Sequence, residues 1–453
     1  MMESVNPATE ERIRVYEEWT EAELEAALSA VHACSLTWRQ TSFAQRADLM
    51  RRAARVLRER EEEYARLAAL EMGKPITGGR AEVEKCALAC DYYADAASSH
   101  LARESIETDA GKSYVRYDPL GVVLAVMPWN FPFWQVFRFA APSLMAGNTG
   151  LLKHASNVTG CGLAIEDVFA RAGFPQDVFR TILVSSARIA RVIADDRVAA
   201  ATLTGSEPAG MAVGAQCGRS IKPSVLELGG SDPFIVLEDA DLELAAEIGA
   251  QARTVNSGQS CIAAKRFIVE EKVADAFTEA FVESMRALPM GDPLDEKTRI
   301  GPQARGDLRD ELHEQVRLSV SGGARAILGG KIPSGKGYYY PATVLDGVGP
   351  RMPAYEEELF GPVAAVIRVK GAEEAVRVAN DSRFGLGASL WTRDTALAES
   401  LAGQIEAGSV FVNGLVKSDP RLPFGGVKKS GYGRELSRHG IQAFVNAKTV
   451  WIQ

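Results

Sequence analysis

The chain has 453 residues, 46% of them hydrophobic and 24% charged, with 41 glycines and a formal net charge of −8. That length exceeds what one hydrophobic core usually serves, so at least two domains are expected. The acidic balance, without a Lys/Arg run long enough to hold a phosphate backbone, argues against nucleic acid as the main partner.

The first residues, MMESVNPATEERIRVYEEW, lack a basic stretch followed by an apolar one, so no secretory signal is expected. No apolar run reaches membrane-spanning length. From Thr20 to about Arg103 the pattern is helical: Leu49, Ala53, Val56 and Leu57 recur at helical spacing, with Arg51, Arg52, Arg58 and Glu61 on the other face. The period then changes. Ser113 to Tyr117 (SYVRY) alternates like a half-buried strand, and Gly121 to Met127 (GVVLAVM) is continuously apolar, like a fully buried one.

Beyond this point strands and helices alternate: TGLLKH, a helix through Ala164 to Ala170, FRTILV, a further helix, then AAATLTG. This is the rhythm of a parallel sheet with crossover helices, hence of a nucleotide-binding fold. A second α/β stretch follows Gly229 and Gly230, with PFIVL, RFIVEE, AAVIRV, GASLWT and GSVFVN as strand candidates. The terminal AFVNAKTVWIQ reads as a strand that could complete a sheet in another subunit, with SYVRY as a possible mate. Six cysteines in so long a chain are too sparse for a disulfide framework, and a reducing cytoplasm is the expected compartment.

Four segments could carry chemistry. In Gly258-Gln259-Ser260-Cys261 a cysteine follows a glycine-containing polar stretch and can sit at a turn with its sulfur exposed; a cysteine is otherwise usually a small buried hydrophobe. That bland reading is kept for Cys34, Cys86, Cys90, Cys161 and Cys217. Cys86 and Cys90 lie one helical turn apart, but no other Cys or His clusters with them, so no metal site is expected. Glu227, in Leu226-Glu227-Leu228-Gly229-Gly230, is a carboxylate among leucines; if buried, its pKa rises toward the range of a general base at neutral pH. Asn130 lies between Pro128 and Pro132, whose fixed backbones could hold its amide as a preorganised oxyanion donor, although for this segment alone a plain proline-rich turn is the favoured reading. Thr204-Gly205-Ser206, after a strand and before a helix, can aim N–H groups at a pyrophosphate, and Lys153 follows the strand TGLL near the sheet's carboxyl edge.

Together PWNFP, LLKHAS, TGS, LELGG, GQSC, EELFGP and PFGGVKKSGYGRE resemble the aldehyde dehydrogenase superfamily in order and spacing, over essentially the full length from Asn6-Pro7-Ala8-Thr9 onward. The resemblance implies an α/β fold with a Rossmann-type NAD(P)-binding domain (1–112 and 129–228), an α/β catalytic domain (229–431) and a small β oligomerisation element (113–128 and 432–453). It makes Cys261 the nucleophile, Glu227 the general base, and Asn130 with the Cys261 N–H the oxyanion hole. It assigns Lys153 and Glu358 to the cofactor riboses, Phe360 to the nicotinamide and Gly205 and Ser206 to the pyrophosphate, with Trp129 and Leu228 also on the cofactor. An aldehyde would be oxidised through a thiohemiacetal and a thioester, then hydrolysed.

Three departures from the family pattern are informative. Pro and Glu, common one and three residues after the cofactor lysine, are here His154 and Ser156. Without that Glu there is room for a 2′-phosphate, so NADP is expected over NAD. Arg138 stands eight residues after Asn130, where relatives acting on apolar aldehydes commonly place an aromatic, and Ser418 lies in the loop closing the same tunnel. An arginine among Phe133, Trp134, Phe137 and Phe139 needs an anionic partner, and a substrate carboxylate would serve. The pattern therefore resembles the succinate semialdehyde branch. The alternatives are an uncharged aldehyde, with Arg138 in a structural salt bridge, or a non-catalytic member of the family. The expected partners are a small aldehyde and further copies of the chain, as dimer or tetramer.

Overall fold

The change of period after residue 103 marks a change of architecture. In the computed structural model, which describes residues 2–453, four helices, Glu21–Trp38, Phe43–Glu59, Glu61–Met72 and Ile76–His100, precede the first long strand. The first two begin with reciprocal caps, Thr20 with Glu23 and Ser42 with Gln45, each satisfying two amides that a helix start would leave orphaned. A hairpin of Met2–Val5 with Arg12–Tyr16, absent from the sequence reading, closes the N-terminus.

A six-stranded sheet runs in the order Gly431–Tyr432, Ser224–Glu227, Val198–Thr204, Val122–Met127, Thr149–His154, Phe179–Thr181. Every pairing is parallel except at the Gly431–Tyr432 edge. Parallel strands share one carboxyl edge, so Met127, His154, Thr204 and Glu227 end side by side. The segments that follow them form one rim, where α/β sheets bind nucleotides.

A seven-stranded sheet takes all five strand candidates of the second half, in the order Arg325–Leu328, Thr343–Asp346, Val363–Val369, Ala264–Glu270, Asp232–Val236, Gly387–Trp391, Ser409–Val412. The third sheet pairs the terminal strand Val445–Ile452 with Lys112–Pro119 and Glu104–Ser105. SYVRY is thus the mate of the terminal strand within one chain, Val115 facing Thr449 and Tyr117 facing Ala447. The boundary expected at residue 128 falls earlier. Val122–Met127 is central in the six-stranded sheet, because an unbroken apolar run is stable only when both its faces are covered. Gly431–Tyr432, expected partly in the oligomerisation element, likewise joins the six-stranded sheet. Among the described residues no helix is long and apolar enough to cross a membrane.

Candidate active site

Cys261 stands just before the strand Ala264–Glu270, at the end of a loop that the chain bends sharply to make. Asn256, Ser257 and Gly258 are consecutively left-handed, with φ of 54°, 58° and 77°. Gly258 is required there twice over: its φ favours glycine, and a Cβ would lie 2.2 Å from the carbonyl carbon of Gly361. The wholly buried Lys265 donates through Nζ to the carbonyl oxygens of Ser260 (2.9 Å), Cys261 (2.8 Å) and Ala263 (3.1 Å). Asn256 Nδ2 donates to the carbonyls of Asn130 (2.7 Å) and Gln259 (3.1 Å). Asn130 Nδ2 donates to the same Gln259 carbonyl at 3.0 Å. The turn bearing Asn130 is thus stitched to the loop bearing Cys261, and an amide has a second hydrogen left to offer. His154 fastens the other side of that turn. Its Nε2 bonds the Pro132 carbonyl at 2.8 Å while its Nδ1 accepts from the Ala155 N–H at 3.0 Å. Burial lowers its pKa to about 4, so the ring is neutral at physiological pH.

Cys261 is half-buried and opens on a cavity of about 610 Å³. Desolvation pushes its thiol up to about 12, with Arg138 and then Lys265 acting in the opposite direction. Of the residues expected at a cofactor, Trp129, Gly205, Ser206, Leu228, Glu358 and Phe360 all line this cavity. Trp129 and Phe360 meet edge to face with ring centres 5.7 Å apart. Ser206 stands at the start of the helix Glu207–Arg219 and its side chain caps nothing. Glu358 accepts from the Gly230 N–H at 3.1 Å and lies 3.4 Å from Lys265 Nζ. Gly229 has to lack a side chain, since a Cβ would come within 2.3 Å of the Glu358 carboxylate. Lys153 and Ser156 lie beyond the cavity lining, on the same rim. Lys153 is half-buried without a hydrogen bond or ion pair among the described residues, and desolvation lowers its pKa. The carboxylate it feels, Glu18, accepts the Ser185 N–H at 2.6 Å. A cleft with a glycine floor, a helix start and an aromatic pair suits a dinucleotide.

Glu227 is buried, and neither carboxyl oxygen has a hydrogen-bond partner among the described residues. Burial first, then the neighbouring carboxyl of Glu435, drive its pKa well upward, while Arg138 and Arg434 act the other way. Arg138 is buried too. Its Nε is ion-paired with Glu435, its Nη2 donates to Thr204 Oγ1 at 3.1 Å, and its guanidinium lies 4.6 Å from the centre of the Phe424 ring. The anion that its aromatic surroundings demanded is therefore present within the chain. The arginine is not left wholly to a substrate; of its three nitrogens only Nη2 makes a hydrogen bond among the described residues, Nε being held by the ion pair. Ser418 is buried beside a second cavity of about 320 Å³, to which the same 128–135 and 255–261 segments contribute Phe131, Trp134, Val255 and Asn256. Its Oγ accepts from Lys85 Nζ (2.7 Å) and Trp134 Nε1 (3.2 Å). Among the described residues no three His, Cys, Asp or Glu side chains gather as metal ligands would.

Cys261 and Asn130 are locked together on the wall of the larger cavity, whose lining suits a nucleotide, and that is the arrangement of an oxidoreductase. The chain belongs to the aldehyde dehydrogenase family, which it matches over residues 1–450. It is 52% identical over 449 residues to a protein of Synechocystis sp. named as a probable succinate-semialdehyde dehydrogenase (NADP(+)), covering 99% of each chain. To succinate-semialdehyde dehydrogenase (NADP(+)) 1 of Mycobacterium tuberculosis it is 51% identical over 452 residues, again with 99% of each covered. The crystal structure of succinic semialdehyde dehydrogenase from Streptococcus pyogenes in complex with NADP+ superposes with a TM-score of 0.98 at 36% identity, covering both chains fully.

Proposed function

We propose that the chain oxidises succinate semialdehyde to succinate with NADP as cofactor. The observation that carries the chemistry is the Cys261–Asn130 pair on the wall of the larger cavity, which fits the nucleotide; the second cavity, lined by the neighbouring Phe131, Trp134 and Asn256, is assigned to the rest of the aldehyde. Named relatives of high identity and full coverage support the substrate and the cofactor.

Cys261 acts as the nucleophile. Its resting thiol is protonated, so attack on the aldehyde carbon requires loss of that proton, with Arg138 and Lys265 favouring the thiolate. The oxyanion of the thiohemiacetal takes hydrogen bonds from the free hydrogen of Asn130 Nδ2 and from the Cys261 N–H. NADP, held by Trp129, Gly205, Ser206, Leu228, Glu358 and Phe360, supplies a hydride acceptor when bound. Lys153 and Ser156 are the donors available to its 2′-phosphate. The thioester left on Cys261 is hydrolysed by water that gives its proton to Glu227. That carboxyl has to leave its buried position to reach the water, and its two unbonded oxygens put no internal hydrogen bond in the way. Arg138 and Ser418 are assigned to the substrate carboxylate, Arg138 through the edge that Glu435 and Thr204 do not engage. Copies of the chain associate through the exposed outer edge of Val445–Ile452, where Trp451 and Ile452 are half exposed.

The test is steady-state kcat/KM for succinate semialdehyde and for butanal, each with NADP and with NAD. The acid aldehyde with NADP should be the best pair. Equal use of butanal would overturn the substrate, and equal use of NAD the cofactor.

A further inference from the structure

Lys85 is half-buried in the helix Ile76–His100 and lines the second cavity. Its ammonium touches Ser418 Oγ at 2.7 Å and lies 4.3 Å from the centre of the Trp134 ring. Among the described residues no carboxylate pairs with it. The acids nearest to it electrostatically are already engaged. Glu82 is ion-paired with Lys74 and accepts the N–H groups of Phe133 (2.8 Å) and Trp134 (2.9 Å). Asp419 accepts from the backbone and guanidinium of Arg421, which lowers its pKa to about 2. Arg138, whose charge Lys85 also feels, is ion-paired with Glu435. The other cavity cations differ. Lys74 is neutralised by Glu82, and Arg299 is exposed at the rim, donating to the carbonyls of Glu296 and Thr298. A cation held out of water without a counter-ion is costly unless a ligand brings one. Desolvation and then the charge of Arg138 lower the Lys85 pKa to about 8, and an anion brought beside it would offset both.

We propose that Lys85 is a further specificity-determining cation beside Arg138, receiving the substrate carboxylate between its ammonium and the Ser418 hydroxyl at the end of the second cavity. Ser418 Oγ then turns its hydrogen to the carboxylate while still accepting from Lys85 and Trp134, which its lone pairs allow. The Trp134 face guards the aliphatic stem of the lysine and holds the ammonium by cation–π attraction. The inference rests on the acid-aldehyde reading above, and adds to it a residue 333 positions away from Ser418 in sequence.

The experiment compares wild type with Lys85→Met, Lys85→Gln and Lys85→Arg, using succinate semialdehyde and butanal at saturating NADP, with succinate as a competitive inhibitor. A charge-assisted contact of this kind sets the expected effect: the acid-to-butanal ratio of kcat/KM falls by roughly 10- to 100-fold in the Met and Gln variants. Most of the loss lies in KM, the succinate inhibition constant rises by a similar factor, and Arg recovers part of the ratio. Loss of both substrates by one common factor, with the ratio unchanged, would make Lys85 structural and overturn the proposal. If wild type itself shows no preference for the acid aldehyde, the reading beneath fails instead, a result that the wild-type ratio alone reveals.

Discussion

Replacing Arg138 by Met should destabilise the protein in a way that depends on pH. Arg138 and Glu435 are both buried and ion-paired, and Glu227 stands beside them as a second carboxyl. Removing the guanidinium leaves Glu435 as an unpaired charge in a desolvated place, for which breaking a buried pair typically costs ~3–5 kcal/mol. Glu435 can escape by taking up a proton. At pH 7 that lies about 2.5 units above the ordinary glutamate value of 4.5, and at ~1.4 kcal/mol per unit the cost is capped at about 3.5 kcal/mol. The sign follows. The folded-state pKa of Glu435 is already raised, with Arg138 holding it down, so the variant raises it further. The part of the deficit against wild type that comes from Glu435 is then largest at neutral pH, shrinks by up to ~1.4 kcal/mol per unit as pH falls, and is gone once the pH drops below the already raised wild-type pKa of Glu435. Thermal melts of wild type, Arg138→Met, Glu435→Gln and the double variant between pH 5 and 8, at one protein concentration, measure this. The double variant, with no orphaned charge, should recover much of the loss. A deficit in Arg138→Met that is the same at every pH, or a double variant no better than the single, would refute the reasoning.

Ser156→Glu should flatten or reverse the preference for NADP, since a carboxylate beside Lys153 repels a 2′-phosphate and can bind ribose hydroxyls; unchanged kcat/KM for both cofactors would place the discrimination elsewhere. Gly258→Ala should lower Tm and activity together, because φ of 77° and a Cβ 2.2 Å from the Gly361 carbonyl carbon add steric conflict to a backbone cost of roughly 1–2 kcal/mol. A fully active, equally stable variant would show that the Cys261 loop is not fixed in the way described.

The strands of the second half were legible because each is an apolar run between turn residues, and all five lie in one sheet. Cys261, Glu227 and Asn130 were legible as motifs, but what holds them was not. Lys265 reads as an ordinary strand lysine until the fold turns its ammonium onto three carbonyls of the Cys261 loop. Asn256-Ser257-Gly258 carried a usable signal, since Asn and Gly tolerate left-handed backbone, yet their bonds to Asn130 and Gln259 depend on folding. His154 was visible as a departure from the family pattern, and its grip on Pro132 was not. For Arg138 the aromatic neighbours told that an anion was needed; only the fold supplies Glu435 as that anion. Lys85 lay in the long helical stretch with no motif to single it out, and no spacing rule connects it with Ser418.

The most direct test of the account is the acyl-enzyme itself. Glu227→Gln leaves the nucleophile and the amide donor in place but cannot take a proton from water. Mixed with succinate semialdehyde and NADP, the variant should release one burst of NADPH per active site, then turn over slowly, with intact-mass measurement finding a succinyl group on Cys261. The same mixture with Cys261→Ala should give neither burst nor adduct. Normal turnover by Glu227→Gln without an acyl intermediate, or a burst that survives Cys261→Ala, would contradict the account.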